Sequence, residues 1–293
     1  MAALLALVSA VCYGVSDFSG GLATRRVPAT AVVLVSNGLS LLLALLAVGL
    51  LPGSTYSAGD MAWGAAAGVV GLLGVVLLYR GLAIGPMSVV APLTAVLSAL
   101  VPVAVGTIRG ERPGALAVIG VALAIPAMVL IGREPRSRTS IERGDPRAPG
   151  GAPLSRGAVL SALSAGVSFG GFFVLLAQTS SNGGAWPLVP QRAASVLILL
   201  GISAAALLRG APALPRGRTF GLAAIAGSTD FAANLAYVLA THRGLLALVA
   251  VVSSLYPATT LLLARGVLGE RLARQQAGGL LLAAAAVVLI ALH

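Results

Sequence analysis

Two aspartates stand in stretches that are otherwise almost wholly Ala, Leu, Val and Gly: Asp17 in "YGVSDFSGG" and Asp230 in "TDFAANLAYVLATHRG". An ionised carboxylate at membrane depth costs about 2.5–3.5 kcal/mol even on lenient insertion scales. It persists where it faces a wet cavity, finds a partner or holds a proton. Helical spacing gives each a direction. Asp230, Asn234, Tyr237 and Thr241 follow i, i+4, i+7, i+11, and Ser9, Tyr13 and Asp17 follow i, i+4, i+8, so each set forms one polar stripe. Small or apolar residues border both stripes, which places them toward the interior of a bundle. A carboxyl that is neutral toward one compartment and ionised toward the other can carry a proton, and an ionised one can bind a cationic group. The structural alternative is a hydrogen bond that only pins two helices together.

Other polar groups cluster around prolines. Pro92, Thr94, Ser98 and Pro102 share one apolar run, and Ser253, Ser254, Tyr256, Pro257, Thr259 and Thr260 share another. Proline frees a carbonyl one turn earlier, and broken helices at matching places in two halves point to a binding site. Arg192, in "WPLVPQRAAS", matches Asn37 at an offset of 155 and either snorkels to the surface or offers a cation to a substrate carboxylate. Tyr79, Tyr237 and Tyr256 suit either stacking on a solute or core packing. Arg80 and Arg243 read as interface anchors, and Trp63 and Trp186 as aromatic-belt residues. The remaining acids, Asp60, Glu111, Glu134, Glu142, Asp145 and Glu270, fall in loops or at span ends, where solvation by water is expected.

The elements that must position these groups follow from composition. Of 293 residues, 58% are hydrophobic and only 9% charged, with a mean hydropathy of +1.00. Soluble domains carry about 25% charge, so this chain cannot cover a water-facing globule. Ten apolar spans are expected, near 2–22, 30–50, 61–80, 86–107, 114–131, 156–178, 187–208, 219–240, 245–264 and 275–292, each long enough for ~30 Å of hydrocarbon. Residues 2–22 read as a retained first span rather than a signal peptide. All 19 basic residues are Arg, lying in short loops, which is the pattern of membrane topology and not of nucleic-acid binding. Fifteen arginines fall on the side of the central linker and four on the other, which puts the linker in the cytoplasm and both termini outside. Cys12 is the only cysteine, and His242 and His293 are isolated. No disulfide, metal site or cofactor is expected, and no phosphate loop or nucleotide fingerprint occurs.

The two halves repeat. "VVAPLTAVLSALVPVAVGTIRGERP" answers "ALVAVVSSLYPATTLLLARGVLGERLA", with Gly-Glu-Arg at 110–112 and again at 269–271, an offset of 159. "LLYRGLAIG" around Tyr79 answers "LAYVLATHRG" around Tyr237. Five spans per half, an odd number, oblige the second half to enter the membrane inverted. The domain reading is a first repeat over 1–132, a polar linker over 133–155 and a second repeat over 156–293. Through these motifs the chain resembles the EamA-type branch of the drug/metabolite transporter superfamily, over all but the linker. The resemblance implies an all-α membrane protein, with ten transmembrane helices in two inverted five-helix repeats around a central cavity. The cavity would be lined by spans one, three, four, six, eight and nine. It also implies a plasma (inner) membrane location and export of small metabolites. Many members carry an aromatic or Trp-Gly pair in the first span, where this chain has Tyr13-Gly14. Family members commonly keep both termini in the cytoplasm, opposite to the Arg distribution here.

The expectation is a secondary transporter for a small polar or amphipathic metabolite, working by alternating access with protons as a candidate coupling ion, as a monomer or homodimer. Its binding residues would be Asp17, Tyr13, Asp230, Asn234, Tyr237, Ser98, Thr94, Ser253, Tyr256 and Arg192. The competing readings are an integral-membrane enzyme or lipid-handling protein, built on scattered Ser, His242, Glu111 and Glu270, and a structural membrane protein with its polar groups sealed from water.

Overall fold

A computed structural model describes residues 1–50, 54–84, 87–132, 155–207, 215–269 and 273–292. The linker acids Glu134, Glu142 and Asp145, Glu270 with Arg271, His293, and the side chain of Tyr79 lie outside the described residues. The described chain is all helix, without a strand: α1 (Ala2–Thr24), α2 (Ala29–Leu50), α3 (Ala58–Ile84), α4 (Met87–Ile108), α5 (Ala115–Ile131), α6 (Arg156–Leu176), α7 (Leu188–Leu207), α8 (Arg218–Thr241), α9 (Leu246–Ser253), α10 (Tyr256–Leu268) and α11 (Arg274–Ala291). Eight stretches are long and apolar enough to cross a bilayer, with α9 and α10 counted as one. Helices α5 and α7 are apolar but shorter. Among the described residues, helix covers most of each expected stretch, although α3 extends beyond 61–80 at both ends and 245–264 is divided between α9 and α10.

Large apolar side chains such as Leu42, Leu45, Leu46, Leu73, Val76, Leu281 and Val288 are exposed, while most of the buried apolar side chains are alanine. That inversion is what a lipid solvent permits: tails receive the large residues, and small ones let backbones approach.

Of the two proline-bearing spans expected to be broken or kinked, one is broken. Helix α4 runs through Pro92 and Pro102 without interruption. Its counterpart stops at Ser253 and restarts at Tyr256, with Pro257 in the first turn of α10. Pro257 cannot donate to Ser253, and its ring disfavours continued helix through the preceding turn. The chain turns there through Leu255 N–H donating to the Val252 carbonyl at 3.1 Å.

The helices fall into two compact units, each drawing on both sequence halves. Unit 1 comprises residues 1–69 and 175–244, and unit 2 comprises 70–174 and 245–293. In unit 1, α8 packs on α1 and α2, and α2 also meets α7. The "GAAAG" stripe of α3 lies against α7: a Cβ at Gly64 or Gly68 would overlap the carbonyl of Pro187 or Gln191. The loop between α6 and α7 is fastened down at the same end. Thr55 N–H donates to the Asn182 carbonyl at 2.8 Å, and Tyr56 meets Trp186 edge-on at 5.5 Å. In unit 2, α5 packs on α11 and α4 on α9.

Candidate functional site

The polar stripe of α8 finds its partners within unit 1. Asp230 is ion-paired with Arg192 of α7, and the same guanidinium donates from Nη1 to Asn37 Oδ1 of α2 at 2.9 Å. One turn along α8, Asn234 accepts at Oδ1 from Tyr13 Oη of α1 at 3.0 Å and from Gln191 Nε2 of α7 at 3.1 Å. Its own amide donates to the Asp230 carbonyl at 2.7 Å. Tyr237, a further turn on, is fully buried, as is Asn234. Five of the expected residues (Tyr13, Arg192, Asp230, Asn234 and Tyr237) thus share one environment, and Asn37 and Gln191 join them. Ser40 of α2 lies beside the Asp230 carboxylate without reaching hydrogen-bond geometry. Arg192 does not snorkel, since its side chain is only 10% exposed. An ion pair withdrawn this far from water persists only because each partner keeps its counter-charge and hydrogen bonds.

The network is not saturated. Among the described residues, Arg192 Nε, Gln191 Oε1 and the Ser40 hydroxyl of this network are buried without a hydrogen-bond partner, as are the Ser9 hydroxyl on α1 and the Ser254 hydroxyl in unit 2. Buried polar groups in folded proteins are almost always satisfied, so a cluster of exceptions marks a place where water or a ligand belongs. Gln191 and Ser40 were not evident from spacing. The signal for Gln191 was an amide beside Arg192 in an apolar run; Ser40 is one hydroxyl among many.

Asp17 differs from Asp230. Its side chain is exposed, yet it makes no ion pair with any described residue. It lies close enough to Asp230 for the two carboxylates to repel. The flanking Ser16 hydroxyl donates to the Ala226 carbonyl of α8 at 2.9 Å, which fixes the rotation of α1.

In unit 2 two of the expected binding hydroxyls face backbone. Thr94 donates to the Ala162 carbonyl at 3.2 Å and Ser98 to the Ala95 carbonyl at 2.8 Å. Ser253 is fully buried, and Tyr256 sits half-buried at the start of α10. Among the described residues, no group of His, Cys, Asp and Glu is arranged to hold a metal ion.

Comparison with known proteins gives a family. The model of the EamA-like transporter family matches residues 1–133 and 156–292, on either side of the polar linker. The chain belongs to the EamA-like transporter family. It is therefore a member of the drug/metabolite transporter superfamily and a multi-pass membrane protein, for which the plasma membrane is the usual location. No curated protein matches the chain. A solved crystal structure, 18% identical, superposes with a TM-score of 0.73 over 99% of this chain and 96% of its own length, a likeness of fold alone.

Two acids of this EamA-type chain correct the expectation of solvated loop ends. Asp60, in the first turn of α3, is 4% exposed. It accepts from Ser180 N–H at 2.8 Å and from Ser180 Oγ at 2.6 Å, because a buried carboxylate must find donors. Glu111 folds back after the left-handed Gly110 (φ +87°) and accepts from the Leu246 and Ala247 N–H groups at 2.8 and 3.0 Å. It thus satisfies two orphan donors at the N-terminus of α9, where negative charge also meets the helix dipole. His242 donates from Nε2 to the Thr179 carbonyl at 2.8 Å, tying the end of α8 to the α6–α7 loop. Of the groups that a headgroup enzyme would recruit, His242 and Glu111 are thus engaged with main chain, and Glu270 lies outside the described residues.

Proposed function

We propose that this protein is a secondary active transporter that exports a small polar or amphipathic metabolite by alternating access, with a proton as its coupling ion. The observation that carries the reading is the cluster of Tyr13, Asn37, Gln191, Arg192, Asp230 and Asn234, drawn from four helices. Interhelical glue needs one or two hydrogen bonds; an ion pair, three amides and a phenol with buried donors and acceptors left over form a recognition surface. Recognition is assigned to Asp17, Tyr13, Arg192, Asp230, Asn234 and Tyr237.

The architecture proposed is ten spans in two inverted repeats, over 1–132 and 156–293. Three observations support it. The family model matches both sides of the linker. Gly110 and Gly269, 159 apart, are both left-handed just after a helix, with φ of +87° and +69°. Arg192 and Asn37, equivalent at an offset of 155, are hydrogen-bonded to each other, as equivalent residues beside a pseudo-twofold axis would be.

A thermal-shift screen of the purified protein against metabolites supplies substrates, and flux of each hit into proteoliposomes, with and without a pH gradient, tests the reading. Asp17→Asn and Asp230→Asn should each lower flux at least tenfold. Gradient-independent flux at the wild-type rate in both variants would remove the carboxylates from the mechanism.

A further inference from the structure

The two aspartates have different surroundings, and the difference assigns them different tasks. Asp230 is already neutralised by Arg192, which Asn37 holds in place. With Asp17 added, the cluster contains two carboxylates and one guanidinium, a net charge of −1. Asp17 is the unbalanced member. Its exposure does not lie on the lipid side of α1. The exposed apolar stripe of that helix is Leu4, Leu7, Val8 and Val11. At 100° per residue Asp17 sits about 130° around the helix from that stripe, on the face it shares with the buried Ala6 and Ala10 and with Tyr13. A residue exposed on the inward face looks into water rather than hydrocarbon. One buried acceptor of the cluster lacks a partner: Gln191 Oε1, on the side chain that binds Asn234.

We infer that the substrate of this site is an organic cation bearing an N–H donor, a protonated amine, whose charge is read by Asp17 while Asp230 serves as the fixed counter-ion of Arg192. This rests on the transport reading above and narrows it to a substrate class. An anionic metabolite would meet a net negative cluster whose only cation is already occupied. An ammonium group meets a free carboxylate, and the unpartnered Gln191 Oε1 on the same cluster is an acceptor for a further donor of the substrate.

Position 21 lets the inference be tested without a known substrate. Gly21 lies one turn beyond Asp17 on the same face, is exposed, and a Cβ there would meet no atom within 4 Å. Gly21→Cys in a Cys12→Ala background gives a single thiol. Its modification rate is measured in proteoliposomes with two methanethiosulfonates, one bearing trimethylammonium and one sulfonate, each normalised to its rate with a free thiol in solution. With Asp17 present the cationic reagent should react about tenfold faster. The preference should vanish on Asp17→Asn and persist in the charge-neutral double variant Arg192→Gln/Asp230→Asn. Equal rates with Asp17 present, or a preference lost in the double variant and kept in Asp17→Asn, would overturn the assignment and leave the transport reading standing. A thiol inert to both reagents would show that no water reaches this face, and both readings would fall.

Discussion

The two compact units handle their polar side chains in different ways. In unit 1, alongside bonds to main chain such as Ser16 to the Ala226 carbonyl, side chains also bond to one another across helices: Tyr13 and Gln191 to Asn234, Arg192 to Asn37 and Asp230. In unit 2 they bond to main chain: Thr94 and Ser98 to carbonyls, Glu111 to two amides. Bonds to the main chain complete a helix and leave little to offer a solute. Bonds among side chains can be exchanged for a solute's groups at modest cost. The proposal that unit 1 holds the recognition chemistry rests on that exchangeable network, although the sequence places comparable numbers of hydroxyls in both units.

The sharpest way to break this contrast is at the ion pair. Asp230→Asn leaves a buried guanidinium uncompensated and should destabilise the protein by about 3 kcal/mol, read by unfolding in detergent. Arg192→Gln/Asp230→Asn should recover more than half of that loss. Simple additivity of the two single variants would mean that the pair contributes no coupling. Next comes the contact that sets the α7 side of the cluster. Gly68→Ala drives a methyl into the Gln191 carbonyl and should cost about 2 kcal/mol, with ligand binding weakened as Gln191 shifts. In unit 2, Glu111→Ala removes the cap of α9 and should cost about 1 kcal/mol. Ligand affinity, measured by the thermal-shift response to a hit, should stay within about twofold. Smallest of all, Ser98→Ala removes a hydroxyl bonded within its own helix and should change stability by less than ~0.5 kcal/mol.

Much of this arrangement was legible in the sequence, and the failures have physical causes. Period-3.6 spacing placed Asp230, Asn234 and Tyr237 on one face, because helix geometry is local. The offset of 155 makes Arg192 and Asn37 repeat equivalents, but does not show that they touch. What spacing cannot give is the partner across helices: nothing in "GDMAW" shows that Asp60 would be buried under Ser180, or that Glu111 would reach the amides of Leu246 and Ala247 more than 130 residues away. Loop acids read as solvated because water is the default partner of a charge, whereas here main-chain donors at helix ends compete for them. The proline-bearing spans misled for a related reason. Pro92 and Pro102 are absorbed within α4, while Pro257 ends one helix and opens the next, and proline content alone does not distinguish the two outcomes.

The central claim is that unit 1 holds the solute. Its most direct test is the thermal stabilisation produced by a screening hit on two variants of similar intrinsic stability, Asp17→Asn and Ser98→Ala. The account predicts that the hit no longer stabilises Asp17→Asn and stabilises Ser98→Ala as fully as the parent protein. Full stabilisation of Asp17→Asn together with none of Ser98→Ala would contradict it.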